Sequence, residues 1–182
     1  EHGCRHQQLA DRRSQWGLRL RTVDFYGHGQ SGGAKGCLIH GNQLAEDLAD
    51  VAHDWQSQLP AGTPLITMGY SMGATVAAQA QLQGLLHADA HCMISPMLRL
   101  RMTVVQRTAM AIFRHLLPDR VGPAHFTPLM HTSDPDEQLI MRNDTQWVRV
   151  MTVRLGDAMF TMEAEAQGRH REWPTPRSVA AT

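Results

Sequence analysis

Pro64-Leu65-Ile66-Thr67-Met68, Gly69-Tyr70-Ser71-Met72-Gly73 and Ala74-Thr75-Val76-Ala77-Ala78-Gln79-Ala80 stand in direct succession. The first is an apolar run of strand length, and the last is a small-residue run of helix-forming type. Between them lies Gly-x-Ser-x-Gly, so the order is strand, tight turn, helix. This is the pattern of a nucleophile elbow, whose strained turn lifts a serine hydroxyl above the end of a sheet. Gly69 and Gly73 are read as necessary, because a side chain at either would strike the neighbouring strand or helix. The helix N-terminus points at Ser71, where free N–H groups and the helix dipole favour negative charge. Met72 N–H is therefore the candidate donor to the oxyanion of a tetrahedral intermediate. A bare Gly-x-Ser-x-Gly also recurs as a structural turn, and it is the flanking elements that favour catalysis.

A second motif lies upstream. Leu18-Arg19-Leu20-Arg21-Thr22-Val23-Asp24-Phe25 reads as a strand and runs into Tyr26-Gly27-His28-Gly29-Gln30-Ser31-Gly32-Gly33. With both motifs the chain resembles the α/β-hydrolase superfamily, and within it the monoacylglycerol lipase/lysophospholipase-like serine hydrolases. The resemblance rests on Asp24, Gly27, His28, Gly29 and Ser31 of the loop motif, and on Gly69, Ser71, Met72 and Gly73. It continues through Gln43 to Leu48, Met93-Ile94-Ser95-Pro96, Ser133-Asp134-Pro135 and Thr152 to Gly156. It implies a parallel sheet flanked by helices, a helical cap over the site, and ester hydrolysis without metal or organic cofactor.

Composition fits that expectation. The 182 residues suffice for one domain with a core, 42% are apolar, and the formal net charge is zero. Such a balance gives no electrostatic reason to expect nucleic acid or anionic lipid as a partner. No apolar run approaches a membrane span, and the first residues do not read as a signal peptide. Cys4, Cys37 and Cys92 lack metal or disulfide spacing and are read as free thiols in a reducing, cytoplasmic setting, with Cys92 buried on a strand. The histidines show no metal-ligand spacing. Nothing in the chain sets its oligomeric state.

The coarse reading places a helix at 6–16, strands at 18–24, 64–69 and 90–94, and helices at 42–58 and 72–85. Strand and helix alternate, which predicts an α/β fold with a partial parallel sheet of about three strands. After Pro96 the alternation stops. Residues 97–117 form an amphipathic, methionine-rich stretch, read either as core packing or as a lid with thioethers along an acyl tunnel. A loop-like 118–135 and one or two helices over 136–168 follow. Residues 1–96 are thus expected to be partial hydrolase core with the elbow, 97–172 a helical cap offering a transient lipid contact, and 173–182 the start of further core.

The ends carry their own expectations. His2-Gly3 looks like the family's oxyanion loop, but no strand precedes it. Glu1-His2, Arg5-His6 and Leu9-Ala10 instead resemble the stretch that follows that loop. The resemblance then implies a first oxyanion donor before Glu1, and a triad acid and histidine beyond Thr182. His28 is assigned to the loop motif, while His87, His91, His125, His131 and His170 lack a preceding acid-bearing strand. The substrate expected is an acyl ester, a monoacylglycerol or lysophospholipid, with this chain by itself inactive. The alternatives are an acyl-binding module without turnover, and an acyltransferase using the same serine.

Overall fold

The computed structural model describes residues 2–100, 102–124 and 126–173. Two parallel strands, β1 (Ile66–Tyr70) and β2 (Ala90–Ile94), pair in register from Ile66↔Ala90 to Tyr70↔Ile94. The helix α2 (Gln43–Ser57) precedes them and α3 (Met72–Leu82) crosses between them, so each strand returns through a helix as a parallel ladder requires. Short helical turns, with α1 (Gln7–Arg12) among them, occupy Gly3–His6 and Arg13–Trp16.

The expected strand at 18–24 does not form a ladder. Among the described residues β1 pairs only with β2, and a strand needs a neighbour to take its N–H and C=O groups. The segment is tethered at its end instead. Asp24 accepts from Gly3 N at 2.6 Å, and Asp47 accepts from Tyr26 N at 3.2 Å. The parallel sheet therefore has two strands here rather than three.

The rest of the chain forms α4 (Val104–Leu116), β3 (Val121–Pro123), a turn at Pro128–Met130, α5 (Pro135–Asn143), β4 (Val150–Thr152) and α6 (Val153–Gly168). β3 and β4 pair antiparallel, joining the stretch read as loop to the one read as helices, where no strand was expected. Thr152 caps α6 by accepting from Leu155 N at 3.2 Å. Thr103 and Gln106 close a capping box on α4.

The core lies around α3, which is alanine-rich and buried along nearly its whole length. One cluster joins Leu38, Leu44 and Val76 to Leu155, Ala158, Met159 and Met162 of α6. A second joins Ala45 and Ala52 of α2 to Ala80 and Leu86. Although it lies in the stretch expected to form a cap, α6 thus packs on the elbow helix. α4 does the opposite. None of its residues is buried, and Val104, Val105 and Leu116 are 79%, 77% and 69% exposed. Core packing therefore does not account for its apolar stripe. Cys92 also departs from expectation: it is exposed, on a ladder face with Ile66, Met68 and Ile94 that no element among the described residues covers. No helix among the described residues is long and apolar enough to cross a membrane.

Candidate active site

Ser71 sits between the end of β1 and the start of α3 with φ 50° and ψ −116°. A non-glycine residue with positive φ and this ψ lies outside the common regions. The surroundings hold it there. Ser71 N donates to Ile94 O at 2.9 Å, and Ser71 O accepts from Thr75 N and Met97 N, each at 3.3 Å. The elbow is thus bolted to β2, to its own helix and to the chain leaving β2. No hydrogen bond among the described residues reaches Ser71 Oγ.

The two glycines differ. A Cβ on Gly69 would stand 2.5 Å from Ala74 N and 2.6 Å from Ala74 Cα, inside any permissible contact. A Cβ on Gly73 would meet nothing within 4 Å. Steric need therefore explains Gly69 but not Gly73, because the first turn of α3 carries position 73 away from the strand. Met72 opens α3, where helix geometry leaves an N–H without an intrahelical acceptor. Met72 also packs against the α3–α6 core cluster, which fixes the turn that holds this donor.

The loop motif is an ordered structure of its own. Asp24 accepts from Gly3 N through one carboxylate oxygen and from Gln30 N, at 2.9 Å, through the other. Gly29 has φ 51°, and a Cβ there would fall 2.1 Å from Asp24 Oδ2. Gly27 N donates to Gly32 O at 2.8 Å, and Gly36 N donates to Gly27 O at 2.9 Å. Ser31 is exposed, and its N–H donates to His28 O at 3.0 Å. His28 is 4% exposed, and its Nδ1 donates to Tyr26 O at 3.0 Å. Burial holds its proton affinity below the ordinary histidine value, with the Lys35 charge acting in the same direction. None of the hydrogen bonds among the described residues joins this loop to Ser71. The motifs meet through the core, where Phe25 and Leu38 belong to the same cluster as Met72 and Val76.

The other histidines are spread out. His91 Nδ1 lies 2.6 Å from Thr67 Oγ1 across the ladder, and His170 Nδ1 donates to Gln167 O at 2.8 Å. His87 is exposed. His131 is the one beside the elbow: its ring centroid is 6.2 Å from that of Tyr70 and 5.9 Å from that of Trp147. His125 and residues 174–182 lie outside the described residues. Among the described residues no cluster of His, Cys, Asp and Glu could hold a metal ion.

Sequence reasoning missed two contacts across long separations. His2, 8% exposed, places Nε2 2.8 Å from Asp144 Oδ2 and ties the N-terminal turn to the end of α5. Gly3 N–H is committed to Asp24. Glu165 on α6 binds Gln79 and Gln83 at the α3 side. Only the polar residues inside an otherwise Ala-rich helix hinted at this second contact. An apolar depression of about 400 Å³ lies on α4, lined by Val104, Val105, Ala109, Ile112 and Phe113, and not by elbow residues.

Known proteins share this fold. The chain is 30% identical over 97 residues to the monoglyceride lipase homolog of Monkeypox virus, covering 53% of this chain and 35% of that protein. Its structure is similar to Paleococcus ferrophilus monoacylglycerol lipase, with TM-score 0.76 and 18% identity over 92% of this chain and 63% of that one. It is also similar to a soluble variant of Saccharomyces cerevisiae monoglyceride lipase in complex with a substrate analog. There the TM-score is 0.67 and the identity 20%, over 80% of this chain and 50% of that one. The chain thus spans less than two thirds of each relative's length. The two solved structures show the fold to be that of an α/β-hydrolase. A family profile described as serine aminopeptidase, S33, matches residues 1–181, and the chain belongs to that family of α/β-hydrolases.

Proposed function

We propose that Ser71 is the nucleophile of a carboxylic ester hydrolase whose substrate is a monoacylglycerol or a lysophospholipid. The observation that carries this reading is the Ser71 backbone. A non-glycine residue in so sparse a region costs about 1–3 kcal/mol and persists where neighbouring contacts over-determine it. Here those contacts hold it at the N-terminus of α3, with no hydrogen bond to its hydroxyl among the described residues. In the proposed reaction Ser71 Oγ attacks the acyl carbonyl while a base accepts its proton. The developing oxyanion is met by Met72 N–H, the alcohol leaves with a proton, and water then hydrolyses the acyl-enzyme.

We assign the base to none of the described histidines: His2, His28, His91 and His170 are bonded to other partners, His131 lies between the Tyr70 and Trp147 rings, and His87 is exposed. An acid–histidine pair elsewhere in the whole protein is the reading most consistent with an unbonded Ser71. The exposed apolar stripe of α4 is proposed as the lid face that touches a lipid surface while an acyl chain enters. The free Cys37 thiol suits a reducing, cytoplasmic setting. That the relatives carry lipase names supports the ester class.

The test is fatty-acid release from monooleoylglycerol and from lysophosphatidylcholine by the protein expressed from its whole reading frame. Ser71→Ala is expected to lower turnover by roughly 10⁴–10⁶, as loss of a nucleophile does. Tight binding of either lipid with no product would establish an acyl-binding module instead. Faster transfer to an added alcohol than to water would establish an acyltransferase.

A further inference from the structure

We infer that Glu165 is a positioning residue for the elbow, clasping α6 to α3 and so fixing the helix whose first turn faces Ser71. The functional part of this inference rests on Ser71 being the nucleophile. Gln79 is 2% exposed, with Thr75 and Gln81 the other polar residues of an alanine-rich helix. A buried amide requires partners. Its Nε2 donates to Glu165 Oε2 at 3.1 Å, and Gln83 Nε2 donates to the same oxygen at 2.9 Å. The other oxygen accepts from Arg169 Nη1 at 3.0 Å, and Arg169 is held in turn by Glu172 at 2.7 and 3.0 Å. Arg169 lies on the same helical face one turn beyond Glu165. It orients the carboxylate but does not cross between helices. The crossing is made by the two glutamines alone.

A clasp is needed because the α3 surface is smooth. Alanine side chains give shallow ridges and little to set the register of a packed helix. The glutamine–carboxylate bonds are directional, and a one-turn slide of α6 would break both. In the clasped register Leu155, Met159 and Met162 complete the cluster on which Met72 packs. Met72 carries the candidate oxyanion N–H, so the clasp reaches the site through α6.

The experiment compares Glu165→Ala, Glu165→Gln and Glu163→Ala in the protein from its whole reading frame. It reads the rate at which a fluorophosphonate labels Ser71 and the hydrogen exchange of amides 73–77. Glu165→Ala is expected to slow labelling about tenfold, the scale of a small misplacement of reacting groups, and to speed exchange. Glu165→Gln keeps an acceptor oxygen and should restore most of the rate, while Glu163→Ala leaves it unchanged. Should Glu165→Ala not fold, Gln83→Ala removes one donor and should give a smaller change of the same sign. Labelling by Glu165→Ala at the Glu163→Ala rate, or no rescue by Glu165→Gln, overturns the inference. If the parent protein does not label at all, the Ser71 reading fails, and exchange alone decides. Faster exchange in Glu165→Ala than in Glu163→Ala supports the clasp, and equal exchange overturns it.

Discussion

His28 is nearly enclosed, with Nδ1 donating to Tyr26 O and Lys35 near enough to oppose a further positive charge. Its folded proton affinity therefore lies below the ordinary value near 6.5 that the unfolded chain retains. Below that pH the unfolded state binds more protons, so stability is intact above about 6.5 and falls on acidification. Thermal unfolding followed from pH 7.5 to 5 should show a falling midpoint whose slope is reduced in His28→Gln; parallel slopes would contradict this. A second residue-scale prediction separates the motif glycines. Gly69→Ala forces a Cβ onto the Ala74 backbone and should cost at least about 1–3 kcal/mol, as overpacking does. Gly73→Ala enters open space in a helix and should be neutral or stabilise by up to about 1 kcal/mol. Urea unfolding of the two variants distinguishes them, and equal losses would sink the argument.

Among elements, α4 and α6 share the stretch expected to form a cap but not its role. Met162 is 1% exposed between α6 and α3, and Met162→Ala should cost about 2–5 kcal/mol. Val105→Ser on α4 removes a side chain already 77% exposed and should change stability by less than about 0.5 kcal/mol. Comparable losses in the two variants would mean that α4 belongs to the core. Periodicity located both helices but could not tell burial from exposure, because an apolar stripe has the same spacing whether or not another surface covers it. The elbow elements were legible for a local reason: turn glycines bound β1, and the Ala-rich run after Ser71 is helix-forming wherever it packs. The 18–24 segment was misread as a ladder strand because pairing depends on a partner distant in sequence. The His2–Asp144 and Gln79–Glu165 contacts span 142 and 86 positions, and no local pattern announces them.

At the scale of the molecule, the two-stranded ladder leaves Ile66, Met68 and Ile94 at 58%, 54% and 44% exposure on one face. Parallel sheets are ordinarily covered on both faces, and unpaired strand edges template association. The 182-residue chain alone is therefore predicted to self-associate and to melt over a broad range. A sharp two-state melt from a soluble monomer would contradict that prediction. Membership of the S33 family supplies the chemistry to be tested, and the positive-φ Ser71 between β1 and α3 is the place proposed for it. The most direct measurement is fluorophosphonate labelling with peptide mapping, run on the 182-residue chain and on the product of its whole reading frame. The product of the whole reading frame should label stoichiometrically at Ser71 and lose all label in Ser71→Ala, while the 182-residue chain should stay at background. Labelling at another residue, or none in the product of the whole reading frame, would contradict the assignment of Ser71. Stoichiometric labelling of the 182-residue chain would mean that one of His125, His131 or His170 serves as the base.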